Sequence, residues 1–262
     1  ELARSEYFDP ESERLYRGNN GLVDSQLRNY DVRFEYYLGR NQFVTVGGFY
    51  KDIDKPIEEI QFSTSTFEFV TTFINSPKAQ LFGGEFEYRT RFDSPIDTPF
   101  MNDREWLFSV NYAYTDPEVK AGPGELVFSP LSSTLVDASL FGLDGTKLQG
   151  APEHIANAQL GWEGENDQFT LLFGWVDERI LQRGVPLPGA EVPDVIEKPG
   201  IQVDAVFRQT LQIAGSDMTV GLSARNLLGA RHEEFQTSGL GRTEYNTYDR
   251  GRSLSATLTA KF

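Results

Sequence analysis

Residues 251–262 read GRSLSATLTAKF, and they alternate strictly: Leu254, Ala256, Leu258, Ala260 and Phe262 are apolar, while Ser253, Ser255, Thr257, Thr259 and Lys261 are polar. Successive side chains of a β-strand point to opposite faces, so this segment has one apolar face and one polar face. The last residue is an aromatic. Chain ends are commonly frayed and polar, and a strand running flush to a phenylalanine implies a terminus held in a sheet, with Phe262 against something apolar.

The same period recurs upstream. Tyr30, Val32, Phe34, Tyr36 and Leu38 alternate with Asp31, Arg33, Glu35 and Tyr37, which predicts a first strand with one apolar and one ionic face. A second strand runs from Phe43 to about Ile53, with Val44, Val46 and Tyr50 opposed by Phe43 and Phe49, so its outer face stays open. A third carries Phe82, Gly84, Phe86 and Tyr88 against Gly83, Glu85, Glu87 and Arg89. A fourth carries Trp106, Phe108, Val110, Tyr112 and Tyr114. Further strands are expected from about Ile155, around Phe169–Trp175, Ile201–Arg208 and Met218–Arg225, and at the terminus, nine in all. Residues 1–26, with Asp9-Pro10 and Gly18-Asn19-Asn20-Gly21, read as a loop. Residues 54–76 read as a loop whose base continues the ladder, with extra strand near 67–74. Short turns alternate with long connections, so the long ones gather at one end of the sheet.

Composition narrows the class. There are 20 Phe, 11 Tyr and 3 Trp but no Cys, which removes disulfides, thiolate metal sites and a cysteine nucleophile. Mean hydropathy is -0.41, and no apolar run of about 18 residues is present to cross a bilayer as a helix. A transmembrane barrel needs only strands of ~9–11 residues with every second one apolar. The formal charge of -15 opposes nucleic-acid binding. Glu1 opens without a charged n-region or apolar h-region, which fits either a start inside a longer protein or a removed leader.

The expected fold is all-β: an antiparallel transmembrane β-barrel of which this chain is the C-terminal portion, about nine strands. Single-chain bacterial barrels have even strand numbers, and an open sheet edge is untenable in lipid. Tyr30, Tyr36, Trp106, Tyr114, Trp162 and Trp175 fall towards strand ends, where interfacial girdles sit.

Five segments carry a family resemblance: GNNGLVDSQLRNYDVRFEYYL, FVTVGGFYKDIDKPIEE, FINSPKAQLFGGEFEY, LQGAPEHIANAQLGW and SARNLLG. In this order, and over nearly the whole chain, they resemble the C-terminal barrel of TonB-dependent outer-membrane receptors, although Asn20 stands where the first motif has Pro. The resemblance implies a barrel of about 22 strands around an N-terminal plug, with residues 1–262 forming a C-terminal segment that lacks the plug. It also implies a location in the outer membrane of a Gram-negative bacterium and active import of a scarce nutrient, whether ferric siderophore, cofactor or oligosaccharide. The implied partners are membrane lipid, the TonB complex acting through the absent N-terminal part, the barrel-assembly machinery reading Leu258 and Phe262 of the last strand, and a small-molecule substrate. A passive porin-like barrel is the alternative, and a soluble β-sandwich binding module or hydrolase a third reading.

No catalytic constellation emerges, so no enzyme, cofactor or metal site is expected. His154 and His232 are the only imidazoles, and His154 reads as a hydrogen-bonding residue at a strand entry rather than a ligand. Glu85 and Glu87 imitate a carboxylate pair but read as lumen-facing polar residues. Glu58-Glu59 reads as solvated loop charge. The family resemblance makes Phe67, Phe69, Phe128, Phe141 and Phe235, all in the long loops, the candidate substrate contacts, against the alternative that they pack the loops on one another.

Overall fold

A computed structural model describes residues 6–10, 14–63, 69–187, 190–213 and 215–261. Phe67 and Phe262 lie outside the described residues.

Nine long strands form one antiparallel sheet: β1 (Gln26–Gly39), β2 (Gln42–Asp54), β3 (Lys78–Asp93), β4 (Glu105–Lys120), β5 (His154–Glu163), β6 (Asp167–Val176), β7 (Gly200–Ile213), β8 (Ser216–Arg225) and β9 (Ser253–Lys261). Each pairs with its sequence neighbours and no connection crosses another, so the sheet is a meander from β1 to β9. Three of the four connections at one end are tight turns, and the fourth, between β3 and β4, spans residues 94–104. Asn41 (φ 59°) and Gly215 (φ 80°) take the left-handed conformation that such tight reversals demand.

The register joins the apolar residues of successive strands, even-numbered on β1 to β5 and odd-numbered on β6 and β7, into a single continuous face. Phe34 lies opposite Val46, Val46 opposite Phe86, and Phe86 opposite Tyr112. The row continues through Ala156 and Trp175 to Ile201. This face is open rather than packed: Val32 is 73%, Phe34 67% and Leu254 80% exposed. Nine strands presenting such a face are wetted by hydrocarbon, not water, because a soluble protein rarely exposes an apolar patch of that extent. The opposite face is concave and polar. A hollow of about 460 Å³ opens on it, lined by Ser109, Asn111, Asn157, Gln159, Gln202 and Asp204 among others.

The face of β2 that the sequence leaves open is decided by its neighbours. Val44, Val46 and Tyr50 pair with Tyr88, Phe86 and Phe82 on the apolar side, and Phe49 is left on the polar side. Its ring sits over Gly83, where an added Cβ would lie 2.5 Å from Phe49 Cζ and 2.1 Å from the Tyr114 carbonyl oxygen. Gly83 therefore clears the space for an aromatic on the wrong face of its strand.

Aromatic rings cluster at both ends of β4–β6. Trp106, Trp162 and Phe169 stack at the short-turn end, with centroids 5.4 and 4.5 Å apart. Tyr114, His154 and Trp175 gather at the other. Trp106 and Tyr114 are eight residues apart, roughly 27 Å along a strand and about 20 Å along the barrel axis at the usual tilt. That is close to the height of the apolar band between two girdles.

At the long-loop end a second sheet forms. Its order is Glu6–Asp9, Arg14–Arg17, Phe69–Asn75, Ile57–Ser63, Arg179–Gly184, Val195–Glu197, Arg231–Ser238, Gly241–Asp249. Residues 1–26 are thus not simply a loop. They contribute two short strands, of which Arg14–Arg17 pairs parallel to Phe69–Asn75, a distant partner that no local pattern announces. One face of this sheet (Ile60, Phe62, Val70, Ile74) packs with Ala79, Val119, Val127, Phe141, Leu143 and Val185 into the buried apolar core of the described residues. β3 and β4 run long enough, 16 residues each, to reach that core. β4 even passes through Pro117, whose carbonyl accepts from the Leu148 N–H at 3.1 Å. The missing proline N–H therefore faces away from β3, and the ladder loses nothing.

Candidate functional site

The other face of the loop sheet builds the site. Alternation on the hairpin Ile57–Ser63/Phe69–Asn75 sends Glu58, Ile60 and Phe62 to the core and Ile57, Glu59 and Gln61 the opposite way, where Phe73 and Thr71 lie across from Glu59 and Gln61. Tyr16 joins that face by pairing with Thr71. The sheet is curled enough for its second and seventh strands to meet. Arg14 Nη2 donates to Glu234 Oε2 at 2.6 Å with both side chains 8% exposed, and its guanidinium lies 5.3 Å from the Tyr245 ring centroid. Gln61 Nε2 donates to the Tyr245 hydroxyl at 2.6 Å, and Gln236 Nε2 donates to Gln61 Oε1 at 3.2 Å.

The concave side holds a chamber of about 500 Å³ lined by Arg14, Tyr16, Ile57, Glu59, Phe73, Gln149, Gly150 and Leu181. Its chemistry is mixed. Tyr7, Tyr16 and Phe73 stack in a row across three strands at 5.3 and 6.1 Å. Arg14 Nε has no hydrogen-bond partner among the described residues. Glu59 accepts from Gln182 Nε2 at 3.0 Å and forms no ion pair among the described residues. A concave site with aromatic walls and a few convergent polar groups is what small-molecule recognition requires.

Glu58 overturns the reading of solvated loop charge. It is 1% exposed and meets Arg183 Nη2 at 2.7 Å inside the core. Ser76 Oγ donates to Glu58 Oε2, the Gln149 N–H reaches Oε1 at 3.3 Å, and Arg183 also donates to Thr146 Oγ1 and the Lys147 carbonyl. Two adjacent glutamates on a strand must part to opposite faces, and the 58–60–62 alternation with Ile60 and Phe62 already marks Glu58 as inward. Arg183, 125 positions away, leaves no local signal. Nearby, Asp194 Oδ1 accepts the Gly184 N–H at 2.8 Å. Burial pushes its carboxyl above the ordinary carboxylate value, only partly offset by that N–H and by Arg183.

The four aromatic candidates among the described residues do not come together. Phe69 is 48% exposed at the tip of its hairpin. Phe128 is half-buried over Gly21, where an added Cβ would clash with its ring at 2.1 Å. Phe141 is 3% exposed in the apolar core, and Phe235 is buried beneath the Arg242 guanidinium at 3.9 Å. Leu258 lies on the apolar face opposite Val220. His154 Nδ1 is 2.7 Å from the Tyr112 hydroxyl. Glu85 and Glu87 lie on the polar face, the latter 3.9 Å from Arg33.

The sequence profile of the TonB dependent receptor-like β-barrel family matches residues 5–227. This chain belongs to that family. Its place is accordingly the outer membrane of a Gram-negative bacterium, with the long loops outside the cell and the short turns on the periplasmic side. Among solved structures, the receptor chain is similar to the ferric enterobactin receptor PfeA of Pseudomonas aeruginosa in complex with BCV-L6 (17% identity, TM-score 0.55, 95% of this chain and 33% of that one). A PfeA mutant in complex with enterobactin gives the same figures. The outer membrane transporter YddB from Escherichia coli matches at 10% identity and a TM-score of 0.54, over 95% of this chain and 34% of that one. The chain thus spans about a third of the length of these proteins. No curated protein sequence matches it.

Proposed function

We propose that the chain forms the C-terminal wall and outer loops of an active importer, in which the loop-sheet chamber takes part in catching a scarce nutrient and TonB supplies the energy through segments beyond these residues. The observation that carries this reading is the curled extracellular sheet with its aromatic and polar concave side. Loops folded into a second hydrogen-bonded sheet with a buried core present a fixed surface to a ligand, which lowers the ordering cost of binding. A ferric siderophore, the ligand class of the PfeA relatives, is the first substrate to try, with cofactors and oligosaccharides next. Glu59, which has no ion pair among the described residues, works against a polyanionic ligand unless Arg14 turns from Glu234 towards it. Lipid is the partner of the apolar face, and the assembly machinery the partner of the last strand through Leu258 and Phe262.

The test uses the full-length receptor in cells with and without a functional TonB system, supplied with each ligand class as sole source. Uptake that requires TonB and falls at least about tenfold in R14Q and F73A variants, with normal surface expression, is expected. Uptake indifferent to TonB would make the protein a passive pore.

A further inference from the structure

We infer that the extracellular rim of the barrel wall carries a divalent transition-metal site made by Glu153, His154 and Asp177, separate from the loop chamber. The ligand atoms these three side chains offer all lie within 4.8 Å of one another. The grouping follows from the ladder. Ile155 pairs with Val176, so His154 and Asp177 are the next residues out on β5 and beyond β6, and the Asp177 N–H donates to the His154 carbonyl at 3.0 Å. Side chains directly opposite on neighbouring strands share a face. Glu153 precedes the histidine and is anchored by its own carbonyl, which accepts from the Thr115 N–H at 2.8 Å.

The imidazole is held as a ligand would need to be. Its ring stacks on Trp175 (5.9 Å, 15°) and Tyr112 (5.9 Å, 20°), with Tyr114 5.3 Å away. Tyr112 lies outside the cluster, and its hydroxyl engages Nδ1. In the tautomer that donates Nδ1–H to that hydroxyl, Nε2 carries the lone pair, and an outer partner of this kind fixes the tautomer of a coordinating histidine. The charged group that competes is Lys147, whose Nζ is 2.8 Å from Glu153 Oε1. It leaves the second oxygen of Glu153, and on Asp177 it leaves Oδ2, Oδ1 accepting the Glu178 N–H at 2.9 Å. One neutral imidazole and two carboxylates balance a divalent cation. They suit zinc, cobalt or nickel rather than calcium or magnesium, which take all-oxygen sets. Three protein ligands leave positions open to solvent. The metal would tie the outer ends of β5 and β6 together at the membrane edge.

The experiment titrates Zn²⁺, by calorimetry, into the full-length receptor purified without a histidine tag and stripped with chelator, and follows Co²⁺ by visible absorption. One site is expected that weakens at least about tenfold in H154A and in D177N. H232A, which removes the other imidazole, leaves it unchanged, and K147Q tightens it by freeing Glu153. Heat-modifiable migration on gels shows whether each variant still forms its barrel. Equal affinity in the parent, H154A and D177N, or Co²⁺ spectra unaltered by D177N in a folded barrel, would overturn the assignment.

Discussion

Glu58 and Arg183 show how much one residue pair decides. Both are buried to within 2%, and a buried pair adds little over an apolar substitute, yet removing one partner strands a charge. Arg183→Met should destabilise the loop cap by about 3–5 kcal/mol, read as faster proteolysis of the extracellular loops, while the double variant E58Q/R183M recovers most of the loss. If the single and double variants are cut equally fast, the pair is not what holds the loops. Gly83 is the second such position. G83A drives a Cβ against the Tyr114 carbonyl and the Phe49 ring, and the backbone contact is one that no rotamer change relieves. Less heat-modifiable barrel is expected for G83A, and F49A does not rescue it. At this scale the sequence marks half of each arrangement. Alternation sends Glu58 inward, and the Gly83-Gly84 pair announces a close approach. The partners, Arg183 and Phe49, are set by tertiary contacts between distant strands.

Among the elements, the long strands were the legible ones. Their period of two, repeated over 9–16 residues, identifies each of the nine, because a one-residue slip would turn every apolar side chain to the wrong face. Most loop strands are shorter, down to two residues at Pro186–Leu187, and their pairing is set by contacts such as the parallel Arg183–Ile60 match. In most of them too few residues alternate for a period to be read, and the nine-residue Gly241–Asp249 carries no apolar alternation. One of these loop contacts has a pH dependence. Asp194, which accepts the Gly184 N–H, has a folded-state carboxyl raised by burial. The folded chain therefore binds more protons than the unfolded one between the ordinary carboxylate value and the raised one, and stability falls as pH rises through that window. At neutral pH the ionised form costs the loop stability. Asp194→Asn keeps an acceptor for Gly184 without the charge, so it should make the loop more protease-resistant at pH 7 and change little below the window. A variant less resistant at pH 7 would show the carboxylate to be stabilising.

For the whole molecule, the two faces of the nine-stranded sheet make opposite demands. The chain has no cysteine of its own, so single cysteines report cleanly. Leu160→Cys on the apolar face should resist water-soluble maleimides in the membrane, and Gln159→Cys on the polar face should react wherever the lumen is wetted. Reversed labelling would mean the sheet is inside out. Likewise Leu222→Arg, on the apolar face of β8 in register with Phe207, should cost about 2–4 kcal/mol if it lies near the bilayer midplane, seen as loss of folded barrel at lower denaturant. The sequence by itself determined the nine strands of the wall, its two faces, the end at which the long loops gather and the family, because a period of two and turn chemistry are local properties written residue by residue. Only the tertiary structure decided that the loops fold into a second curled sheet, that Glu58 is buried against Arg183, that Phe49 belongs to the polar face, and that Phe141 and Phe235 are covered while a chamber opens beside Arg14 and Glu59. Those outcomes depend on pairings between residues tens to more than a hundred positions apart, and such pairings are fixed by packing, which no single stretch of chain encodes.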